Sequence, residues 1–468
     1  MELFLDPDDP RPRTVQLYEQ LRTAIVEGRL QPGDWLTPTR TVAVALTISR
    51  GTVTEAYGRL SAEGYIEGRS GGGSVVRPAP PRVHRRPPAA PLQPTRRAMG
   101  IAPYDPDPAE RARFDCRPGR LDPALFPVAD WRRCVLRSLH RAPTQYGDPH
   151  GTPALRGALA HWVARSRGVT ATPEETFITS GAGHAIDLLA RVLVDAGATV
   201  AVEEPGYPPV VALLRGQGLR VVGVPVDEHG LVVDAIPDRA RLVYVTPSHQ
   251  YPLGVVMARH RRLQLLDWAA RSGAAIIEDD YDSEFRHTSR PLEPLHRLDR
   301  DGRVVYVGTF SKSLSPALRV GFLVAPATLQ PALSAVRQAV DWCPPPATQE
   351  ALTRFIADGY FDKHLRRSRR VYAELHRLTQ AALDRFLPAG YRCLPAEAGL
   401  HVTVTGPRDP ADPAMEKALR QHDLLVSSLR RTYAFNRPTA GFLLGFAGLP
   451  TAQISSAVHT LGAALAAA

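Results

Sequence analysis

The strongest constraint on the fold is a change of pattern near Phe114. From there to about residue 460, short apolar runs that are typical of strands alternate with segments of helical spacing. This alternation indicates an α/β domain. Strands are predicted at 176–179, 199–202, 241–246, 273–278 and 303–307.

Lys312 lies just after the last of these strands, between Ser311 and Ser313. A primary amine can condense with an aldehyde to form a Schiff base. The neighbouring hydroxyls and Arg319 are suitable donors to a phosphate, and together they suggest pyridoxal phosphate as a cofactor. Taken by itself, this stretch could also be a surface loop whose lysine is solvated.

Two other strand ends carry residues suited to the same cofactor. Ser180-Gly-Ala-Gly183 opens a helix predicted over 185–194, where backbone N–H groups and the helix dipole can meet a phosphate. Glycine is common in such turns, so this signal is weak by itself. Tyr207 follows another strand and could stack on a cofactor ring or pack in the core.

Asp279 and Tyr281 belong to an acidic run at the end of the strand 273–278. A carboxylate there can hold a pyridine nitrogen protonated, and the tyrosine can hydrogen-bond the phenolate oxygen. The alternatives are a metal site and a solvated acidic loop. No histidine lies at ligand spacing within the run, so we predict that no metal binds here.

The N-terminal part of the chain has a different pattern. Residues 14–30, 39–46 and 50–63 have helical spacing, and Ser49 is placed to cap the third helix. A hairpin with a glycine-rich turn follows over 64–76, which completes a winged helix-turn-helix. In such a motif the second helix reads base edges in the major groove. A protein-interaction module of the same size is the alternative.

Positive charge is concentrated in the same region. The chain has a net charge of +10, and residues 68–104 contain seven arginines and no acidic residue. This favours double-stranded DNA as a partner. Residues 77–103 are rich in Pro, Arg and Ala and lack apolar periodicity, as in a semi-stiff linker. We therefore predict a DNA-binding domain over 1–76, a linker over 77–104 and the α/β domain over 105–468.

The composition excludes several other classes of protein. Hydrophobic residues make up 44% and charged residues 22% of the chain, as in globular proteins. No run of 18 apolar residues and no charged-then-apolar leader is present, so we expect no membrane span, no secretory signal and a cytoplasmic location. The four cysteines have no CxxC spacing and are expected to be reduced thiols.

The N-terminal motifs resemble those of the GntR-type DNA-binding domain across roughly residues 11–76. The matching stretches are Leu36-Thr-Pro-Thr-Arg40, Ser49-Arg-Gly-Thr-Val53, Ala56-Tyr57, Leu60 and Glu63-Gly-Tyr65. The resemblance implies DNA contacts by Arg40, Arg50 and Thr52, with the glycine-rich wing near the minor groove. Thr37 stands where proline is more common.

Residues from about 114 to 460 resemble the fold type I aminotransferases. The whole chain resembles the MocR/GabR-type regulators, which join a GntR-like head to an aminotransferase-like body. The resemblance implies a multidomain protein, with a winged helix-turn-helix (α+β) before an α/β domain that binds pyridoxal phosphate. The motifs stand in the family's order at Tyr146–Gly151, Thr179–Ala182, Glu204–Tyr207, Thr246–Gln250, Glu278–Phe285 and Gly308–Lys312.

The resemblance also implies individual roles. Lys312 would be the aldimine lysine, Asp279 would bind the pyridine nitrogen, and Tyr281 the phenolic oxygen. Tyr207 would stack on the ring. Tyr146 would reach the phosphate of the partner subunit, which implies a domain-swapped homodimer. The residues implied around the phosphate are Ala182, Gly183, Ser311 and Arg319.

Three positions depart from the family pattern. Tyr251 stands where aminotransferases have an asparagine that supports the phenolic oxygen, and Gly183-His184 replaces two glutamines near the phosphate. Either Arg430 or Arg431 could be the arginine that grips an effector carboxylate with two hydrogen bonds. We favour Arg430.

These patterns predict a pyridoxal phosphate-dependent transcription regulator. It would bind promoter DNA and respond to an amino acid, an amine or pyridoxal phosphate itself through the Lys312 aldimine. A working class I/II aminotransferase with an accessory DNA-binding domain is the alternative, and a DNA-binding scaffold with a cofactor-free body is a third. Tyr251 favours the regulator, with at most a residual half-reaction.

Overall fold

A computed structural model of the chain describes residues 3–69, 73–78, 92–99, 101, 110–139, 144–287 and 293–467. The chain forms two compact units, Met1–Gln93 and Pro94–Ala468. Most of the predicted linker, including residues 79–91, lies outside the described residues. Within the described ranges, no helix combines the length and the apolar character needed to cross a membrane.

The N-terminal unit is the predicted three-helix domain with a hairpin. The Ser49 hydroxyl accepts a hydrogen bond from the Thr52 N–H at 3.1 Å and so begins the third helix at the predicted residue. Leu17, Leu60 and Ile66 are buried in one apolar core that joins the helices to the hairpin. The predicted turn residues Gly71 and Gly72 lie outside the described residues. The elements are α1 (Arg13–Val26), α2 (Thr39–Ala45), α3 (Arg50–Ala62), β1 (Ile66–Arg69) and β2 (Gly73–Val76).

The C-terminal unit consists of one large sheet, a smaller sheet and the helices that cover them. Its helices are α4 (Arg96–Met99), α5 (Val128–Ser138), α6 (Pro153–Arg167), α7 (Ala182–Leu193), α8 (Pro208–Gly216), α9 (Arg259–Ser272), α10 (Leu295–Leu298), α11 (Phe310–Ser313), α12 (Gln330–Val340), α13 (Pro346–Ala357), α14 (Tyr360–Phe386), α15 (Pro413–Gln421) and α16 (Ile454–Ala467). Its strands are β3 (Phe114–Asp115), β4 (Thr176–Thr179), β5 (Thr199–Glu204), β6 (Arg220–Asp227), β7 (Gly230–Leu231), β8 (Ala240–Val245), β9 (Ala275–Asp280), β10 (Val304–Thr309), β11 (Gly321–Val324), β12 (Arg392–Cys393), β13 (His401–Thr405), β14 (Leu424–Leu425), β15 (Ser427–Ser428) and β16 (Gly441–Gly445).

The large sheet has eight strands in the order β4-β11-β10-β9-β8-β5-β6-β7. Strands β6, β5, β8, β9 and β10 run parallel, and β11, β4 and β7 pair antiparallel to their neighbours. Alternate residues of β5 enter different apolar cores, Val200 and Val202 on one face and Ala201 on the other. Both faces are therefore buried, which explains the continuous apolar runs in the sequence. All five predicted strands are present, and the α/β prediction is confirmed.

Two features of this unit have no counterpart in the sequence patterns. A second, antiparallel sheet has the order β12-β13-β16-β15. The two-residue strand β3 pairs with β14, so residues 114–115 lie beside residues 424–425 despite their separation in the chain. This pairing brings the segment around β3 to the segment that follows α15, and both segments contribute to the cavity described below.

Candidate functional site

The parallel strands of the large sheet end along one edge, where the side chains singled out in the sequence converge. In the registers of β9 with its neighbours, Asp279 lies opposite Val307 of β10, and Glu278 lies opposite Val245 of β8. Residues that follow β8, β9 and β10 are consequently neighbours. Crevices at the carboxyl ends of parallel strands are the usual ligand sites of α/β sheets.

Lys312 belongs to the short helix α11, which starts directly after β10. The Thr309 hydroxyl caps this turn by accepting the Ser311 N–H at 3.2 Å. Desolvation lowers the pKa of the half-buried Lys312 amine, and Asp282 and Asp279 oppose that shift. A lowered pKa increases the neutral, nucleophilic fraction of the amine.

The main chain at Gly119 approaches the Lys312 amine closely. A Cβ atom at this position would stand 2.7 Å from Lys312 Nζ, and the residue has a φ of +88°. Both conditions favour glycine. The segment around residue 119 therefore forms part of the wall in front of the lysine.

Asp279 is buried at the end of β9, with 4% of its surface exposed. Its Oδ2 accepts a hydrogen bond from the Tyr244 hydroxyl at 2.7 Å, whereas Oδ1 has no hydrogen-bond partner among the described residues. Burial raises the pKa of this carboxyl to about 7. An unpartnered buried acceptor needs a donor to offset its desolvation, and a pyridinium N–H is a donor of this kind.

Asp280, the next residue of the acidic run, has a different environment. It is buried, its carboxylate pairs with Arg167 at 2.7 Å, and it accepts a hydrogen bond from the Tyr306 hydroxyl at 2.6 Å. Adjacent side chains of a strand point to opposite faces, which separates it from Asp279. The run is therefore neither solvated nor a loop over these two residues.

The Tyr281 hydroxyl lies 2.9 Å from Nδ1 of His249, which in turn lies 3.0 Å from Asp282. His249, Asp282 and His401 offer ligand atoms within 4.8 Å of one another, a spacing that a metal ion would accept. Two of those histidine nitrogens are already engaged, because Nδ1 of His249 faces Asp282 and Nε2 of His401 lies 3.1 Å from the Pro252 carbonyl. Sequence reasoning missed His249, although it lies within a family motif.

Aromatic rings surround the same site. Tyr207 and Tyr251 meet edge to face with centroids 5.3 Å apart, and Tyr251 meets Tyr281 in the same way at 6.3 Å. Tyr251 is buried and contributes to the wall of a cavity that also contains Lys312. At the position where aminotransferases have an asparagine, this chain consequently has an aromatic side chain in the site.

Two of the residues implied around a phosphate, Ala182 and Gly183, lie at the N-terminal end of α7. Ala182 opens this twelve-residue helix, and Gly183 follows. The antiparallel pairing of Gly321 in β11 with Thr179 in β4 brings Arg319 to this helix end. A Cβ atom on Gly181 would lie 3.2–3.4 Å from the Arg319 guanidinium. The arginine and the helix N-terminus therefore act on the same space, as an anion site requires.

Ser311 and His184 have local partners. The Ser311 and Thr309 hydroxyls lie 3.0 Å apart. His184 accepts the Ser180 N–H through Nδ1 at 3.2 Å, and its Nε2 lies 3.9 Å from Asp341. The imidazole that replaces a family glutamine thus stabilises the turn before α7.

A cavity of about 410 Å³ lies in front of Lys312. Apart from Tyr251 and Lys312, its walls come from residues 110–120 and 410–432, the two segments that the pairing of β3 with β14 brings together. The segment that follows this wall, residues 434–436, is held by Glu204. Its carboxylate accepts hydrogen bonds from the backbone N–H groups of Ala434, Phe435 and Asn436 at 2.8–3.0 Å.

The two candidate carboxylate-binding arginines are placed differently. Arg431 contributes to the cavity wall, and it has no ion pair among the described residues. Arg430 is not part of that wall, and its guanidinium pairs with Asp412 at 2.8 Å. The choice of Arg430 from the sequence does not fit this placement, because the three residues per turn of the short 3-10 helix 430–432 point successive side chains in different directions.

Tyr146 lies outside this group of residues. Its side chain is 77% exposed, and its ring packs against Trp342 with centroids 4.7 Å apart. An exposed aromatic pair of this kind leaves the hydroxyl accessible to another molecule.

In the N-terminal unit the three predicted DNA-binding residues lie on or beside the helix-turn-helix. Arg40 in α2 and Arg50 at the start of α3 are exposed. Thr52 is half-buried, and its hydroxyl lies 2.9 Å from the Ser49 hydroxyl of the cap.

Comparison with known proteins finds a matching family for each of the two units. Residues 13–76 match the family of bacterial regulatory proteins named gntR, and residues 121–461 match the aminotransferases of class I and II. Over 472 residues the chain is 36% identical to the probable rhizopine catabolism regulatory protein MocR of Rhizobium meliloti, covering 99% of this chain and 95% of that protein. The chain belongs to the MocR-type regulators of the GntR family.

Other similarities of this MocR-type regulator agree. It is 31% identical to the pyridoxine biosynthesis transcriptional regulator PdxR of Corynebacterium glutamicum, over 95% of this chain and 94% of that protein. Kynurenine aminotransferase of Pyrococcus horikoshii matches 80% of this chain and 96% of its own, with a TM-score of 0.72 and 25% identity. The α-aminoadipate aminotransferase LysN of Thermus thermophilus, solved with a phosphopyridoxyl-leucine, matches 80% of this chain and 97% of its own, with a TM-score of 0.72 and 29% identity.

The fold and these neighbours support pyridoxal phosphate as the cofactor of this MocR-type regulator. The residues present fit it, because the unpartnered Oδ1 of Asp279 suits a ring N–H and the glycine turn beneath Arg319 suits a phosphate. The Lys312 amine completes the set.

Proposed function

We propose that this MocR-type regulator binds promoter DNA through its N-terminal unit and responds to a small amine, an amino acid or pyridoxal phosphate through the site around Lys312. The observation that carries the proposal is the buried, unpartnered oxygen of Asp279 near the desolvated Lys312 amine. Burying an unpartnered carboxylate oxygen and a lysine amine costs free energy of folding. A C-terminal unit that served only as a scaffold would have no reason to keep these two buried groups.

Each residue then has a defined task. Pyridoxal phosphate supplies an aldehyde that an amine can attack and a ring that withdraws electrons. Lys312 provides the attaching amine, Asp279 holds the ring N–H, and Tyr281 donates to the phenolic oxygen. Tyr207 packs on the ring. Ala182, Gly183, Ser311 and Arg319 bind the phosphate.

The cavity indicates what the effector carries. Arg431 faces it without an ion pair among the described residues, and a guanidinium can bind a carboxylate with two hydrogen bonds. We therefore propose Arg431, and not Arg430, as the residue that binds the effector carboxylate. An amino acid whose amine reaches Lys312 and whose carboxylate reaches Arg431 satisfies both ends of the site.

The DNA-binding proposal is tested with Arg50→Ala. We expect specific affinity to fall by about 1–3 kcal/mol, because Arg50 stands exposed at the start of the recognition helix. Footprinting and fluorescence anisotropy on the upstream DNA measure the effect. Arg29→Ala is the matched control, since Arg29 is exposed but pairs with Glu27 outside the helix-turn-helix. Unchanged operator binding by the Arg50→Ala protein would contradict the placement of the reading head.

The proposed domain-swapped homodimer is tested with Tyr146→Phe. We expect the full chain to sediment as a dimer and the variant to bind cofactor about tenfold more weakly, because one hydrogen bond to the partner subunit's phosphate is lost.

A mixed dimer tests which subunit Tyr146 serves. In a dimer of one Tyr146→Phe protomer and one Lys312→Ala protomer, one site combines an unmodified tyrosine with an unmodified lysine only if Tyr146 acts across the interface. We expect one tight cofactor site per mixed dimer. Only weakened sites, or a monomer that binds cofactor normally, would contradict the shared site.

A functional aminotransferase is the second candidate. The intact Lys312 and Asp279 pair and the similarity to solved aminotransferases favour it, whereas Tyr251 in place of asparagine argues against it. Steady-state transamination with a panel of amino donors and a keto acid distinguishes the two. Sustained turnover would support the enzyme, and a single half-reaction would support the regulator.

A further inference from the structure

His249 is a buried imidazole between Tyr281 and Asp282. Its Nδ1 lies 3.0 Å and 3.1 Å from the two carboxylate oxygens of Asp282 and 2.9 Å from the Tyr281 hydroxyl. The side chains of His249 and Asp282 are 1% and 2% exposed. Among the described residues, the polar neighbours of this nitrogen are therefore oxygens inside the protein.

The Asp282 carboxylate determines which ring nitrogen of His249 carries the hydrogen. Carboxylate oxygens accept hydrogen bonds, and both oxygens of Asp282 lie within 3.1 Å of Nδ1, so the network assigns the hydrogen of His249 to Nδ1. A protonated Nδ1 cannot accept from Tyr281. Burial raises the pKa of Tyr281 well above its usual value, so its hydroxyl keeps its own hydrogen. The hydrogen of Tyr281 must then point away from His249.

The position of His249 beside Asp282 carries two structural costs, an unpartnered ring nitrogen and a restricted backbone at Gly399. Nε2 of His249 is buried and lacks a partner among the described residues. Gly399 has a φ of +89°, and a Cβ atom there would overlap His249 Cε1 and stand 2.7 Å from Asp282 Oδ2. A histidine retained only for packing would not justify an unpaired polar atom and a restricted backbone.

Hydrogen bonds to Glu203 and within the loop also hold the loop that carries His249. Buried Glu203 accepts hydrogen bonds from the Thr246 N–H at 3.1 Å and from the Thr246 hydroxyl at 2.6 Å. The same hydroxyl lies 3.0 Å from the Tyr251 N–H, which donates to it. These bonds hold residues 246–251 in one arrangement, with His249 on Tyr281 and the ring of Tyr251 beside it.

We propose that His249, held by Asp282, is a positioning residue that directs the Tyr281 hydroxyl hydrogen toward the phenolic oxygen of the cofactor. It thereby compensates for the amide donor that is absent at Tyr251. This inference rests on the proposed cofactor contact of Tyr281, and it adds a residue pair whose effect passes entirely through that tyrosine.

The pH midpoint of the cofactor's visible absorbance tests the inference. Donors to the phenolic oxygen favour its ionised form and lower the midpoint. His249→Leu should raise it by about one pH unit, a tenfold change in proton affinity, and Tyr281→Phe should raise it at least as far. His249→Asn keeps an N–H near the Nδ1 position and should restore most of the unmodified value, which guards against a folding defect in the leucine variant.

A double-mutant cycle separates positioning from a direct effect. In the Tyr281→Phe background, His249→Leu should add no further shift, because the hydroxyl that it orients is gone. His401→Gln is the control for packing, since His401 contacts the His249 ring but faces the Pro252 carbonyl. We expect it to leave the midpoint unchanged.

Three results would overturn the inference alone, and a fourth would overturn the cofactor function as well. His249→Leu with an intact band and an unchanged midpoint would show that the imidazole does not act on the cofactor. Equal shifts with and without the Tyr281 hydroxyl would show that it acts directly. A midpoint that moves when the unmodified protein is treated with a chelator would assign the cluster to a metal. An unmodified chain without a visible band would instead overturn the cofactor function, and this inference with it.

Discussion

Lys312→Ala should abolish the visible absorbance of the purified protein and eliminate the effector response while leaving operator binding within about twofold of wild type. Lys312, the proposed attaching amine, lies in the C-terminal unit, and the proposed DNA-binding residues belong to the separate N-terminal unit. Because an effector can shift a conformational equilibrium only by its differential affinity for the two states, removing the attachment point removes the shift.

Three measurements check this expectation. Borohydride should fix the cofactor to Lys312 in the unmodified protein, as a peptide map would locate, and should fix none in the variant. Anisotropy on operator DNA, with and without candidate amines, measures the response. Lys363→Ala is the matched control, because Lys363 is an exposed lysine of the same unit that pairs with Asp130. A Lys312→Ala protein whose DNA binding still changes fully with the effector would show that the lysine link is not the switch.

Arg431→Ala should weaken a carboxylate-bearing effector by about 10- to 100-fold, the effect of losing charge-assisted hydrogen bonds worth roughly 1.5–3 kcal/mol. Cofactor binding should be unchanged, because the proposed phosphate contacts are Ser311, Arg319 and the start of α7, and none of them involves Arg431. Titration of the visible band with an amino acid and with the amine that lacks its carboxylate measures the effect. The amine should bind both proteins equally.

Arg430→Ala is the control in the same turn. Its pair with Asp412 is partly exposed, and such pairs contribute under about 1 kcal/mol. We expect a change in effector affinity of less than about fivefold. If Arg430→Ala removed the discrimination between amino acid and amine while Arg431→Ala kept it, the assignment from the cavity wall would be wrong and the original choice of Arg430 would stand.

Local patterns were sufficient to locate most of the elements that build the site. The sequence pattern places the strand that carries Asp279 at 273–278, and the structure has it two residues later, at Ala275–Asp280. The helix after Ser49 begins where its cap predicts. These features depend on neighbours in the chain, because apolar runs, caps and glycine turns act over a few residues.

Features that depend on distant contacts were not predictable in this way. The adjacent Arg430 and Arg431 have the same chemistry, and only the position of Asp412 and of the cavity distinguishes them. His249 carries no local signal for its task, since its partner Asp282 is 33 residues away.

The sequence by itself determined the two-unit organisation, the α/β class of the larger unit, the lysine after its strand and the family to which the chain belongs. Tertiary structure alone decided which arginine lines the cavity, that β3 joins β14 to form its walls, and that His249 stands against Tyr281. The physical reason is the separation along the chain between the residues that interact. Hydrophobic periodicity and helix capping depend on residues a few positions apart. The direction of a side chain depends on packing between segments that only the folded sheet brings together.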